Sequence, residues 1–321
     1  MDVVRSKADD LYVSEASRAV VHTPVDKLTA LDAQPATEAL AVEEPYFERL
    51  EIRLLYGPVN ARATKFISLT MRTPGNDDDL AVGFLMTEGV VRDVTDIERI
   101  FYAPGDSASA PAEEDPRGDT FYQPRKNVVL VELAPDVKVS PANLERNFYT
   151  TSSCGICRKA SFLALQTVCP PRIKNSFSID AEVLYRLPAQ LREAQSVFDR
   201  TGGLHGAGLF DASGNLLAMR EDVGRHNAVD KLVGSEFLAD RTPLRGCLLL
   251  LSGRASFELL QKAVMAGISM VAAIGAPSSL AVKVAQEFDI ILVGFLRDDY
   301  MNIYHGTDHI RRELPAGTGG P

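Results

Sequence analysis

Between residues 205 and 296 short apolar runs alternate with helix-length amphipathic segments, and nothing else in the chain constrains its fold so tightly. "GCLLLLSG", "SMVAAIG" and "IILVGFL" are too short and too apolar for surface helices. The segments between them, "ASFELLQKAVMAG" and "SSLAVKVAQEF", carry apolar residues at helical spacing. "RHNAVDKLVGSEFL" reads as a further helix ahead of them. Strands without polar alternation are buried on both faces, and helices between strands make the connections right for a parallel sheet. A hairpin precedes this run: "AGLFDASGNLLAMRED" holds two apolar strands about a Ser-Gly-Asn turn. Upstream of it, "PAQLREAQSVFDRTGG" reads as an amphipathic helix with Pro188 in its first turn, Leu191, Ala194, Val197 and Phe198 on one face, and a stop at Gly202–Gly203.

The first half differs. "RLEIRLLYG", "TKFISLTMRTP", "IERIFYA" and "NVVLVELA" read as strands, and "NDDDLAVGFLMTEGVV" as a helix capped by Asn76 with three aspartates at its positive end. The expected organisation is an extension over 1–46, a smaller β-rich domain over 47–150, an α/β domain with a mixed sheet covered by helices over 151–310, and a tail over 311–321. A Pro-, Gly- and acid-rich stretch near 104–125 reads as an inserted surface loop.

Composition narrows function. The chain of 321 residues has 34 basic and 43 acidic side chains, a net charge of −9 that argues against a general nucleic-acid or anionic-membrane binder. No run of 18 apolar residues occurs and the N-terminus has no apolar signal core, so a cytoplasmic protein is expected. Four cysteines in a chain this long are no disulfide framework.

Chemistry is expected where strands of an open α/β sheet run into helices. Those loops are "REDVGRHN", "SGRASFE", "GAPSSLA" and "GFLRDDYMN", and three of the four hold an arginine: Arg225, Arg254 and Arg297. Ser256 and Ser278 stand at helix starts, where free N–H groups and the dipole favour anions. Each serine alone is as readily a cap, and each arginine a solvated side chain. Together on one edge they point to an anionic ligand of nucleotide size, although neither a Walker loop nor a G-x-G-x-x-G is present. His205 and His226 lie in the same loops; His22, His305 and His309 receive no role.

Two cysteines, Cys154 and Cys157, stand in "TTSSCGICRKAS". A zinc site needs further ligands at suitable spacing, and none is there. A thioredoxin-type site belongs after an early strand of a βαβ pattern, not in mid-chain. Packing suits Ser, Gly, Arg and Lys neighbours poorly. A reactive thiol remains, with Cys154 in a loop before a helix starting near Cys157, its pKa lowered by the helix and by Arg158 and Lys159. Cys169 and Cys247 read as ordinary buried thiols. A dithiol redox role stays open, as does a cofactor-binding chaperone in which the thiols play no part.

The blocks "SSCGICRK", "GGLHGAGLFD", "REDVGRHNAVDKLVG", "GRASFELLQKA", "GAPSSLAV" and "VGFLRDDYMNIY", in this order, resemble the FdhD family of formate dehydrogenase accessory sulfurtransferases. The resemblance covers about Phe47 to Tyr304. It implies a cytidine-deaminase-like α/β domain. It implies that sulfur passes from a cysteine desulfurase to a persulfide on Cys154, with Cys157 as second thiol. From there it reaches a molybdenum or tungsten bis-molybdopterin guanine dinucleotide required by formate dehydrogenase. It places the guanine-dinucleotide contact on Phe295, Leu296, Arg297, Asp298, Asp299 and Tyr300, and suggests a homodimer. No structural metal is expected. A zinc deaminase would need H-x-E and a later P-C-x-x-C, and "HGAG" at 205–208 and "GRASFE" do not supply them. Arg158 stands where the family motif has glycine.

Overall fold

The computed structural model describes residues 20–25, 40–103, 127–139 and 175–312, and of 20–25 and 40–45 the backbone alone. The cysteine loop, with Cys154, Cys157, Arg158 and Cys169, and the acidic insertion near 104–125 lie outside the described residues. Strands β1 (Val20–Val25) and β2 (Leu40–Pro45) pair antiparallel. Strands β3 (Glu48–Tyr56), β4 (Ala63–Arg72), β5 (Ile97–Ala103) and β6 (Val128–Leu133) form a four-stranded sheet in the order β4-β3-β6-β5.

Helix α1 (Asp77–Thr87) leaves β4. Its start corrects the expected cap: Asn76 is left-handed and its side chain caps nothing. The entry is held instead by the buried Arg72, whose guanidinium donates two 2.9 Å bonds to the Asp77 carboxylate. Asp79 accepts from Arg220, 3.0 Å away. Two of the three aspartates therefore serve ion pairs as well as the dipole.

A second correction concerns the helix around Pro188. Strand β7 (Ile179–Asp180) leads into α2 (Ala181–Ala194), so Pro188 is internal to the helix. The buried stripe Leu184, Leu187 and Leu191 begins before the proline, and its burial offsets the hydrogen bond that Pro188 cannot donate. A break at Gln195 starts a separate helix α3 (Ser196–Thr201), whose Val197 and Phe198 N–H groups donate to the Glu221 carboxylate. Gly202, left-handed, ends it as the sequence indicates.

The remaining elements are β8 (His205–Phe210), β9 (Leu216–Asp222), α4 (Arg225–Leu238), β10 (Leu248–Leu251), α5 (Phe257–Ala266), β11 (Met270–Ala273), α6 (Ser279–Phe288), β12 (Ile291–Gly294), β13 (Asn302–His305) and β14 (Ile310–Arg311). Six strands form one mixed sheet in the order β13-β12-β11-β10-β8-β9. β10, β11 and β12 are parallel, as their helical connections require, while β8, β9 and β13 run antiparallel to their neighbours.

The apolar runs have two buried faces. Leu248, Leu250, Met270, Ala272, Ile291 and Val293 pack with Leu184, Leu187 and Leu191 of α2. Leu249, Leu251, Val271, Ala273 and Leu292 face the opposite core. That second core is continuous through α4, α5 and α1 to Leu50, Ile52, Val129 and Val131 of the four-stranded sheet. Helices α1 and α4 cross backbone to backbone at Gly83 and Gly234. A Cβ on Gly83 would stand 1.9 Å from the Asp230 carbonyl oxygen, and one on Gly234 1.9 Å from that of Asp79. Among the described residues no helix is long and apolar enough to cross a membrane.

Candidate functional site

The four loops expected to line a ligand meet at one edge of the six-stranded sheet. His205 opens β8 and pairs in register with Asp222, which closes β9, so both stand beside the carboxyl end of β10. The loops that follow are laced by backbone bonds. Gly275 N donates to Gly253 O at 2.9 Å, Ser278 N to Ala255 O at 2.9 Å, and Phe295 N to Gly275 O at 3.1 Å. Gly275 permits this lacing: a Cβ there would come within 2.9 Å of both Gly253 O and Arg254 Cγ.

The turn from β9 into α4 is fixed from beneath. Asp222 is fully buried, and Lys231 Nζ lies 2.7 Å from its carboxylate. That carboxylate also accepts from Thr73 N (3.1 Å), Gly224 N (2.9 Å) and Asn227 Nδ2 (2.9 Å). Asn227 Nδ2 donates to Met71 O, and Lys231 Nζ to Thr73 O, both at 2.7 Å. A buried charge needs such compensation on every side. The effect is to pin the first turn of α4, where Arg225 and His226 stand, to the exit of β4.

Above this base lie His205, Arg225, His226, Ser256 and Glu258. His226 Nε2 is 3.4 Å from Ser256 Oγ. Burial pushes His226 down to about 4, with Lys262, Arg225 and His205 adding to the shift and Glu258 opposing it. His205 is lowered for the same first reason, burial, and then by Arg225, against Asp222. Both imidazoles are therefore neutral at pH 7. The Glu258 carboxyl sits below the usual range. Burial, the largest single influence, pushes it up, but bonds from its own N–H and from Ser256, with His226 and Arg225, outweigh that. The Arg225 Nε is buried and, among the described residues, has no hydrogen-bond partner.

The two helix-start serines differ. Ser278 caps α6, accepting from Ala281 N at 3.1 Å. Ser256 stands at the N-cap of α5 without such a bond, its hydroxyl turned to Glu258 and His226. Arg254 and Ser278 are exposed on this edge.

In the last loop Phe295 has φ 52°, a left-handed backbone that is strained for a side chain of its size. Leu296 is fully buried and offers a ligand no side-chain surface. Arg297 spans the loop, donating from Nη1 to Ile274 O at 2.6 Å and Leu296 O at 2.8 Å. Asp298, Asp299 and Tyr300 are exposed. Among the described residues no group of three or more His, Cys, Asp or Glu is placed to hold a metal ion.

Sequence reasoning missed the polar base of the site. Asp222 with Lys231 and Asn227, and behind them Lys262 with Asp230 and Thr87, are buried and mutually bonded. The signal was present: Asp230, Lys231 and Lys262 interrupt helices whose other faces are largely apolar.

The fold and this edge define a mixed α/β protein with a polar, arginine- and histidine-lined cluster where three helices begin. The FdhD/NarQ family model matches residues 59–311, and the chain belongs to that family. Among its relatives, the sulfur carrier protein FdhD of Streptomyces coelicolor is 48% identical over 292 residues, covering 90% of this chain and 94% of the relative. That of Mycobacterium tuberculosis is 48% identical over 295 residues, 91% and 99% of the two chains. An archaeal relative from Saccharolobus solfataricus, also a sulfur carrier protein FdhD, is 36% identical over 87% of this chain and 93% of its own. A crystal structure from Desulfotalea psychrophila, described as a formate dehydrogenase accessory protein, superposes with a TM-score of 0.64. It covers 91% of this chain and 100% of that one at 18% identity, a likeness of fold.

Proposed function

We propose that this chain is a sulfur carrier in the maturation of formate dehydrogenase. It accepts sulfane sulfur from a cysteine desulfurase as a persulfide on Cys154. It then delivers that sulfur to a molybdenum bis-molybdopterin guanine dinucleotide, bound as substrate at the loop edge of the six-stranded sheet. The observation that carries the reading is family membership over residues 59–311, with relatives named as sulfur carriers along nearly their whole length.

The loading step balances without an added oxidant. The Cys154 thiolate attacks the terminal sulfur of the donor's persulfide. The donor S–S bond breaks as the new one forms, and its electron pair leaves on the donor cysteine, which takes a proton. Cys157, the second thiol, then resolves the persulfide or passes it on. The ligand end of the reading is supported by the edge geometry: starts of α4, α5 and α6, Arg225 and the two histidines, and the loop from Phe295 to Tyr300 with its exposed Tyr300. The working unit is a homodimer in this reading, acting in the cytoplasm.

Incubation with a cysteine desulfurase and cysteine should add 32 Da to the intact protein, and peptide mapping should place it on Cys154. Cys154→Ala should remove both the added mass and formate dehydrogenase maturation while the protein stays folded. If Cys154→Ala and the double variant with Cys157→Ala mature formate dehydrogenase normally, the chain is a cofactor-binding chaperone, not a sulfur carrier.

A further inference from the structure

The cluster around Arg225 is more than a polar lining. Among the described residues, the buried Nε of the Arg225 guanidinium has no acceptor. It stands in the first turn of the 14-residue α4, beside the start of the 10-residue α5. Its neighbours are two neutral imidazoles and one carboxylate. Buried N–H groups in folded proteins are nearly always paired, so an orphaned arginine nitrogen at two converging helix starts is suited to an oxyanion.

We propose that Arg225, His205, His226 and the starts of α4 and α5 form a phosphodiester subsite, and that His226 takes up a proton when the anion enters. The inference rests on the dinucleotide reading above and adds to it where one phosphate sits and what charge answers it. The charged and titratable groups facing His226 are Arg225 on its own helix, Lys262 and Glu258 from α5, and His205 from β8. His205 faces Arg225 and Asp222. Before an anion enters, burial together with Lys262 and Arg225 keeps His226 neutral. An entering anion reverses that balance, and the imidazolium becomes the favoured form. Glu258, which faces both Arg225 and His226, opposes the anion and restrains its affinity.

The test uses P1,P2-di(guanosine-5′) diphosphate, whose phosphodiester groups do not titrate near neutral pH, with the full chain and isothermal titration calorimetry. Binding should tighten several-fold from pH 8 to pH 6. Titrations in two buffers of different ionisation enthalpy should show uptake of up to one proton. Arg225→Met should weaken binding ~10-fold or more at every pH. His226→Gln should bind at pH 8 but lose the pH dependence and the proton uptake, and Glu258→Gln should bind more tightly. Wild-type binding without proton uptake, or Arg225→Met binding as wild type, overturns the subsite. So does failure of the wild-type protein to bind the probe. A thermal melt at pH 8 checks that each variant folds. Persulfide loading of the wild-type Cys154, measured separately, decides the sulfur-carrier reading whichever way the calorimetry falls.

Discussion

His226 carries a cost that is visible without any ligand. Its folded pKa is about 4, against 6.5 for the free side chain. Between those values the unfolded chain binds the proton and the folded chain does not, so stability rises with pH across that window. The contribution is fully present above pH 6.5 and is lost as the pH falls toward 4. At ~1.4 kcal/mol per unit the loss is at most ~3 kcal/mol. Melting temperatures measured from pH 7 to 4.5 should therefore fall less steeply for His226→Gln than for the wild type; parallel profiles would contradict the assignment. The buried Lys262 presents the opposite case, a charge that must be kept. Its ammonium donates to Asp230 at 2.8 Å and to Thr87 at 3.0 Å, and it stands 5.4 Å above the Phe84 ring. Burial pushes the Asp230 carboxyl up, and the Lys262 ammonium and the Thr87 hydroxyl oppose that shift. Lys262→Met strands that carboxylate and should cost ~3–5 kcal/mol in urea unfolding, most of it regained in the double variant with Asp230→Asn. Equal instability of the single and double variants would mean that the pair is not the source of the loss.

Elements were legible where one rule governed them. The helix over 225–238 and the strands at 248–251, 270–273 and 291–294 follow from length and apolar content alone. The reading failed where a local signal was overruled by packing. Pro188 looks like a first-turn residue, but the leucine stripe runs through it. Asn76 looks like a cap, but Arg72 takes over the start of α1 through Asp77. Neither substitute partner is visible as a spacing. The close crossing of α1 on α4 was also silent in sequence. Gly83 and Gly234 interrupt good helices for no local reason, and only the crossing of α1 on α4 supplies one. An alanine at 234 would press its Cβ against a main-chain oxygen, which no rotamer change relieves. Gly234→Ala should lose ~3 kcal/mol or more by chemical denaturation, although alanine is the better helix former. A stabilised variant would show that the two helices are farther apart than this.

At the scale of the whole molecule, the edge of the sheet could be read and its support could not. Strand-to-helix loops are contiguous in sequence, so His205, Arg225, His226, Arg254, Ser256 and the loop from Phe295 to Tyr300 can be picked out from where strands end. The base that holds them joins residues about 150 positions apart: Thr73 N bonds Asp222, and Thr73 Oγ1 accepts from Val223 N at 3.0 Å. Long-range pairs of this kind leave no periodicity behind. They tie the exit of β4, in the four-stranded sheet, to the first turn of α4, and so let the first half of the chain set the aim of the second half's ligand groups. Thr73→Val tests this without touching the edge itself, since it keeps the side chain's shape and the backbone bond to Asp222 while deleting the hydroxyl that Val223 N needs. A buried N–H left unpaired costs ~1–3 kcal/mol. If that strain is relieved by movement of the turn carrying Gly224 and Arg225, affinity for the guanosine dinucleotide probe should fall several-fold at pH 7. Thr73→Ser, which restores the hydroxyl, should recover it. Should Thr73→Val lose stability but keep wild-type affinity, or Thr73→Ser fail to rescue, the network is support for the fold and not an aiming device for Arg225.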